Sequence, residues 1–143
     1  MIAAEDVGLA YPQAMSIVTA CVDAARQLGL PEARLPLAQA VILLATAPKS
    51  NSTILSMDKA LSDVRAGKGG EIPEHLKDAH YSGAKKLGRG ETYVYPHNYK
   101  NHYVTQQYLP GALQNARYYG FGENKAESAA KAYWERVRAE ADD

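Results

Sequence analysis

From Pro12 onward, apolar residues return at helical spacing: Ala14, Ile17, Val18, Cys21, Val22, Ala25 and Leu28, with Gln13, Asp23 and Arg26 elsewhere around the turn. A proline at the first helical position gives up only an N–H that has no intrahelical partner. Gly29 supplies a stop and Pro31 prevents resumption, so the pattern predicts a helix over 12–28. The following stretch, PEARLPLAQAVILLATAP, has only Gln39 and Thr46 as polar residues between Leu37 and Ala47. A run this rich in Ala and Leu favours helix over buried strand. A helix apolar on nearly all sides has to be surrounded by other elements. It is therefore predicted as the central helix, over 31–47, with Pro36 as a kink or restart and Pro48 as its end; its apolar surface either fills the bundle core, the reading the sequence favours, or leaves a face to bury itself in neighbouring subunits.

Ser50, Asn51 and Ser52 are N-cap candidates for a third helix over 52–66. Ile54, Met57, Leu61 and Val64 form its apolar stripe, and Lys59, Ser62, Asp63 and Arg65 are its solvent-facing candidates. Gly67, Gly69 and Gly70 break the chain, and Pro73 opens a short helix over 73–80. From Ser82 to Pro110 neither a helical nor a strand period persists. Tyr93–Tyr95 and Tyr103–Thr105 leave room for a short β-hairpin about a turn at Pro96–Asn98. The last helix is predicted over 124–140. Asn124 and Glu127 have the spacing of a capping box, and Ala126, Ala130, Tyr133, Trp134 and Val137 form its apolar face. Glu127 and Lys131 stand as a surface i,i+4 pair. The expected architecture is all-α: a helical bundle or array forming one domain over 1–143, with a long ordered tyrosine-rich loop, 81–122, strapped across the helices.

Composition adds a division between the two halves. Nine of the ten tyrosines fall between Tyr81 and Tyr133, and all four histidines between His75 and His102, whereas the first half is aliphatic and alanine-rich. So many tyrosines argue for order in the aperiodic segment. Sixteen basic and sixteen acidic residues cancel, so global charge points to no particular partner. Cys21 is the single cysteine, which excludes an intramolecular disulfide and fits a reducing compartment. No apolar run approaches a membrane span, and the opening MIAAEDVG lacks the basic region of a signal peptide. A cytoplasmic protein without membrane partners is expected, nucleoid-associated if bacterial.

Several strings resemble one family. They are EDVGLAYPQA (5–14), GLPEARLPLAQAVILLATAPKSNS (29–52), HYSGAKKLGRG (80–90) and YVYPHNYKNHYVTQQYLP (93–110). Their order and spacing are similar to the C-terminal region of MgsA-type AAA+ ATPases, from about Glu5 to about Glu123. The resemblance implies an all-helical domain like the clamp-loader collar, following the ATPase core and holding the protein as a homotetramer. It also implies that the full-length protein is a DNA-dependent ATPase acting at stalled replication forks and in recombination, with DNA and replication proteins as partners. The chain departs from the family at Asn98, where Asp is commoner, and at Arg89 and Glu91, in a stretch usually richer in Gly and His. GAKKLGRG (83–90) lacks the spacing and the terminal Lys-Ser/Thr of a phosphate-binding loop. No cofactor is therefore expected in this chain; ATP and magnesium would belong to an ATPase core outside it, and Met1 would be a fragment start.

The basic, aromatic loop carries the candidate nucleic-acid residues. Lys85, Lys86, Arg89 and Lys100 would neutralise phosphates, and Tyr93, Tyr95 and Tyr99 would stack on bases. The plainer reading takes precedence: the tyrosines pack the loop onto helices while their hydroxyls satisfy buried carbonyls. The histidine pairs His75/His80 and His97/His102 are each five apart, whereas zinc helices favour four, so hydrogen bonding outranks metal binding and no metal site is expected. Cys21 lies on an apolar helix face and reads as a small hydrophobe. No catalytic residue is assigned. The first reading is a self-association module, the second a nucleic-acid-binding module, and the third an enzyme built on the Tyr/His/Lys loop, which would require a deep pocket with perturbed titrating groups.

Overall fold

A computed structural model of the chain describes residues 1–77 and 93–141. Among those residues lie four α-helices: α1 (Ala14–Leu28), α2 (Arg34–Thr46), α3 (Ser52–Arg65) and α4 (Lys125–Ala139). Tighter or wider helical turns occupy Ala3–Val7, Gly8–Ala10, Glu74–Leu76, Pro96–Asn98, Lys100–His102 and Gly111–Leu113. No strand forms among the described residues, so the class is all-α. The chain divides into two compact units, Met1–Asp58 with Tyr118–Lys131, and Lys59–Arg117 with Ala132–Asp143.

In the first unit α1 packs against α2. The buried positions of α1 are Ala14 and Cys21, two turns apart on one face. Ala14 joins Ala3 and Val7 of the N-terminal turn in a small core against Tyr11, Val18, Leu43, Leu44 and Ala47. Gly29 ends α1 at φ 69°, a left-handed conformation that glycine adopts without penalty, and its N–H reaches the Ala25 carbonyl at 3.1 Å. At the end of α2, Ala47 turns extended before Pro48. The Lys49 amine donates to the carbonyls of Leu44 (2.8 Å) and Ala47 (2.5 Å), placing a cation at the negative end of the helix.

The reading favoured by the sequence alone, in which α2 is simply the core of the bundle, is corrected. Ala40 is its one buried residue, while Leu35, Val41 and Ile42 are 70, 66 and 63% exposed. The cause is geometric: the core of this unit takes only the stripe that includes Ala40, Leu43 and Leu44, and the remaining apolar positions point away from it.

In the second unit the buried aliphatic side chains among the described residues are Leu113 and Val137. Tyr103 meets Trp134 edge to face at 4.9 Å. After α3, Gly67 at φ 74° turns the chain and Lys68 pairs with Asp63 at 3.0 Å. Where a helix over 73–80 is expected, a single turn forms at Glu74–Leu76 and Lys77 is extended. The Lys77 amine bridges Glu71 (3.2 Å) and Glu74 (2.5 Å), and these hydrogen bonds hold its pKa above the ordinary lysine value. Residues 78–80 of that expected helix lie outside the described residues.

The anticipated hairpin does not form in 93–105. Two helical turns follow one another at Pro96–Asn98 and Lys100–His102, with Asn101 and His102 at φ 56° and 52°. In place of a strand partner, the Gln106 side chain serves Val94: its amide donates to the Val94 carbonyl at 2.9 Å and its oxygen accepts the Val94 N–H at 3.4 Å. The Asn101 amide donates to Glu140 at 2.8 Å and Lys100 pairs with the same carboxylate at 3.0 Å, which ties the turn to the end of α4. Those hydrogen bonds lower the Glu140 pKa.

Candidate functional site

The most buried polar group in the first unit is a carboxylate. Asn124 caps α4 by accepting the Glu127 N–H on its side-chain oxygen at 3.0 Å, as the capping-box spacing predicts. Glu127 itself is not the surface partner expected from the sequence, being only 1% exposed. It accepts hydrogen bonds from the Tyr119 hydroxyl (2.5 Å), the Gly122 N–H (3.2 Å), the Asn124 amide and the Ser50 hydroxyl. Burial pushes its pKa up, but the donors from Tyr119, Ser50, Asn124 and Gly122 outweigh it and hold the carboxyl at about 2. Burial, and then the neighbouring carboxylate, drive the Tyr119 hydroxyl up to about 12.

Ser50 connects this carboxylate to the N-terminal turn. Its N–H donates to the Asp6 carbonyl at 2.8 Å, and its hydroxyl oxygen accepts the Ser52 N–H at 3.3 Å. The chain passes so close here that a Cβ on Gly8, at φ 51°, would lie 2.8 Å from the Ser50 carbonyl oxygen. A Cβ on Gly122 would lie 2.7 Å from the Glu127 carboxylate. The strings EDVG, APKSNS and GENKAE therefore meet in one closed knot. Its donors and acceptors are spent on one another, which makes it a structural lock rather than a reaction centre.

Two open surfaces stand out among the described residues. On the first unit, an apolar groove of about 640 Å³ is lined by Tyr11, Leu35, Ala38, Gln39, Ile42, Leu43, Thr46, Ala47 and Pro48, all but Tyr11 and the last two from α2 itself. No charged side chain lines it among the described residues. On the second unit, a more polar groove of about 480 Å³ lies between the 103–117 segment and α4, with Arg117, Trp134 and Arg138 in its wall. Sequence reasoning did not single out this second groove. Arg117 lies in an aperiodic stretch, and α4 offers Trp134 as an apolar-face residue, so nothing local links the two.

Of the candidate nucleic-acid residues, Lys85, Lys86 and Arg89 lie outside the described residues. Tyr93, Tyr95 and Tyr99 are exposed, so the packing reading does not cover them. It does describe Tyr103, set against Trp134, and Tyr119, on Glu127. Lys100 is exposed yet engaged by Glu140. Tyr95, His97 and His102 meet in sequence as tilted ring pairs, each at 45°, with centroid distances of 5.1 and 5.0 Å. The His75 Nε2 lies 2.8 Å from the Gln107 carbonyl, a structural contact of the kind expected for it. Cys21 is buried in the first unit. Among the described residues no three His, Cys, Asp or Glu side chains gather as a metal site, and no helix is long and apolar enough to cross a membrane.

Residues 1–138 match the family model described as MgsA AAA+ ATPase C terminal. The chain is 55% identical to Replication-associated recombination protein A of Bacillus subtilis, over 96% of this chain and 33% of that protein. It is 41% identical to an uncharacterized AAA domain-containing protein of Mycobacterium tuberculosis, over 97% of this chain and 31% of that protein. Against Replication-associated recombination protein A of Escherichia coli K12 the identity is 38%, over 82% of this chain and 27% of that protein. The chain thus spans about a third or less of the length of these relatives.

Proposed function

The chain belongs to the MgsA AAA+ ATPase C-terminal family, and from that premise we propose that it is a self-association module, joining copies of a AAA+ ATPase that acts in DNA replication and recombination. The observation that carries this reading is the bare face of α2. Leu35, Val41 and Ile42 stand more than half exposed beside an uncharged groove. Contiguous apolar surface of this kind is uncommon on a monomer and marks an interaction site. The surface is a continuous helix face, which suits a second helix from another copy. Four copies are the expected assembly. The working parts then gain by tethering, since linking sites raises their effective concentration without new contacts. The chain does no covalent chemistry in this reading. ATP and magnesium belong to the ATPase region of the family, DNA and replication proteins are partners of the whole protein, and the setting is the cytoplasm or, in bacteria, the nucleoid.

Light scattering on a size-exclusion column, across a dilution series, tests the reading. The expected result is a mass near four times that of the chain, reduced to one by Ile42→Asp with helicity retained. A wild-type monomer at every concentration would overturn it.

A second reading is favoured by the exposure of Tyr93, Tyr95 and Tyr99. Here the segment that also contains Lys85, Lys86, Arg89 and Lys100 contacts nucleic acid, tyrosines under bases and cations on phosphates. It predicts salt-dependent DNA binding that is lost on Lys85→Ala with Lys86→Ala; salt-independent or absent binding would remove it.

A further inference from the structure

The groove of the second unit combines three kinds of group. From α4 come Trp134 and Arg138, one helical turn apart and so on one face. From the facing segment come Tyr103, Tyr108, Gln107 and Arg117. The indole is 39% exposed, and its orientation is set by the edge-to-face contact with Tyr103. The opposite wall is tied in place: the Gln107 carbonyl is held by His75, and the Tyr108 hydroxyl donates to the Val104 carbonyl at 3.3 Å while accepting from the Gln106 amide at 3.1 Å. Two guanidiniums line the groove with no carboxylate among its described residues.

We propose that this groove receives one unstacked nucleotide unit of a single-stranded nucleic acid, its base against Trp134 and its phosphates on Arg117 and Arg138. Aromatic faces beside cations are the elements that hold single strands, because every base presents a flat π-face and every linkage a charge. The Gln106 and Gln107 amides already donate within the chain, to Val94 and Leu109, so Gln114 is the glutamine of the wall that supplies a hydrogen bond to a base edge. An acidic peptide fits less well. Its carboxylates would meet the two arginines, but it carries no base to lie on the indole, and Leu109 is the single aliphatic residue among those described in the lining for its other side chains. A duplex keeps its bases stacked and away from the indole, and about 480 Å³ suits a nucleotide rather than a double helix. The inference is independent of self-association, and it uses none of the residues named for the tyrosine segment.

Trp134 is the only tryptophan in the chain, so indole fluorescence reports from this groove alone. The probe is oligothymidylate of about 12 nucleotides, within the size range of known single-strand sites, titrated into the whole chain at low salt. Saturable quenching is expected, with an apparent affinity that falls as salt rises. Arg117→Gln and Arg138→Gln keep most of the side-chain stem, and each is expected to weaken binding about tenfold while helicity by circular dichroism stays unchanged. Strand binding without any quenching would overturn the proposal. So would binding that survives both arginine substitutions but vanishes on Lys85→Ala with Lys86→Ala, which leaves the tyrosine-segment reading standing. Quenching by a duplex of the same sequence, or by an acidic peptide, at lower concentration than by the single strand would also overturn it.

Discussion

Tyr119 donates its hydroxyl to Oε1 of Glu127 at 2.5 Å, and the same oxygen accepts the Gly122 N–H at 3.2 Å. The folded carboxyl titrates at about 2 against 4.5 for a free one, so its stabilising effect is complete above pH 4.5 and is lost as pH falls toward 2. Glu127→Gln should remove that acid sensitivity and cost about 2–3 kcal/mol at neutral pH, because four donors lose a charged acceptor. Urea unfolding of both proteins at pH 7 and pH 3 measures the two effects; an unchanged acid slope in the variant would show that another group governs it.

The tyrosine of the pair acts at the other end of the pH scale. Its hydroxyl is raised from 10.0 to about 12, so the folded state retains a proton that the unfolded chain releases earlier. The resulting stability is complete below pH 10 and is lost as pH rises toward 12. Tyr119→Phe should flatten this alkaline decline and cost about 1.5–3 kcal/mol at pH 7, the range for a hydrogen bond to a charged group. Unfolding at pH 7 and pH 11 gives the comparison.

Two glycines with positive φ should respond differently to alanine. At Gly29 the new Cβ meets nothing within 4 Å, leaving only the backbone strain of φ 69° with ψ 175°, about 1–3 kcal/mol. At Gly8 the strain is joined by the approach to the Ser50 carbonyl at 2.8 Å. That oxygen belongs to the backbone of the knot and has little room to yield, so Gly8→Ala should cost at least about 2 kcal/mol more than Gly29→Ala. Thermal melts of the two variants side by side decide it; equal losses would mean that the knot relaxes around the added methyl.

On α2, neighbouring positions should separate folding from association. Val41→Lys lies on the exposed face and should alter the stability of a single chain by no more than about 0.5 kcal/mol while lowering the mass in solution. Ala40→Asp buries a charge against the core and should unfold the first unit. Circular dichroism and light scattering on both variants give four readings, and loss of helicity in Val41→Lys would place that residue in the core instead.

The all-α class is legible because its boundaries are chemical: Gly29 and Pro48 stop helices, and Asn124 starts one. The N-terminal turns over 3–10 are too short to display a period. The apolar run of α2 is equally plain in the sequence, but periodicity cannot distinguish a face covered by its own chain from one left bare. Spacing also reveals that Asn124 caps the N–H of Glu127. The burial of Glu127 depends on Ser50 and Tyr119, which reach it only through the fold. The Arg117–Trp134–Arg138 groove is hidden for the same reason, since its two walls share no local pattern.

The substitution of a side chain for a strand at Val94 has a consequence for solubility. A tyrosine-rich extended segment normally offers open amide and carbonyl groups on which another chain can build a sheet, the usual first step of aggregation. Here Gln106 has already taken both polar backbone groups of Val94, and the turns at Pro96 and Lys100 bend the chain away from flatness. The protein can therefore display aromatic rings to solvent in this segment while denying a passing strand the straight edge it would need.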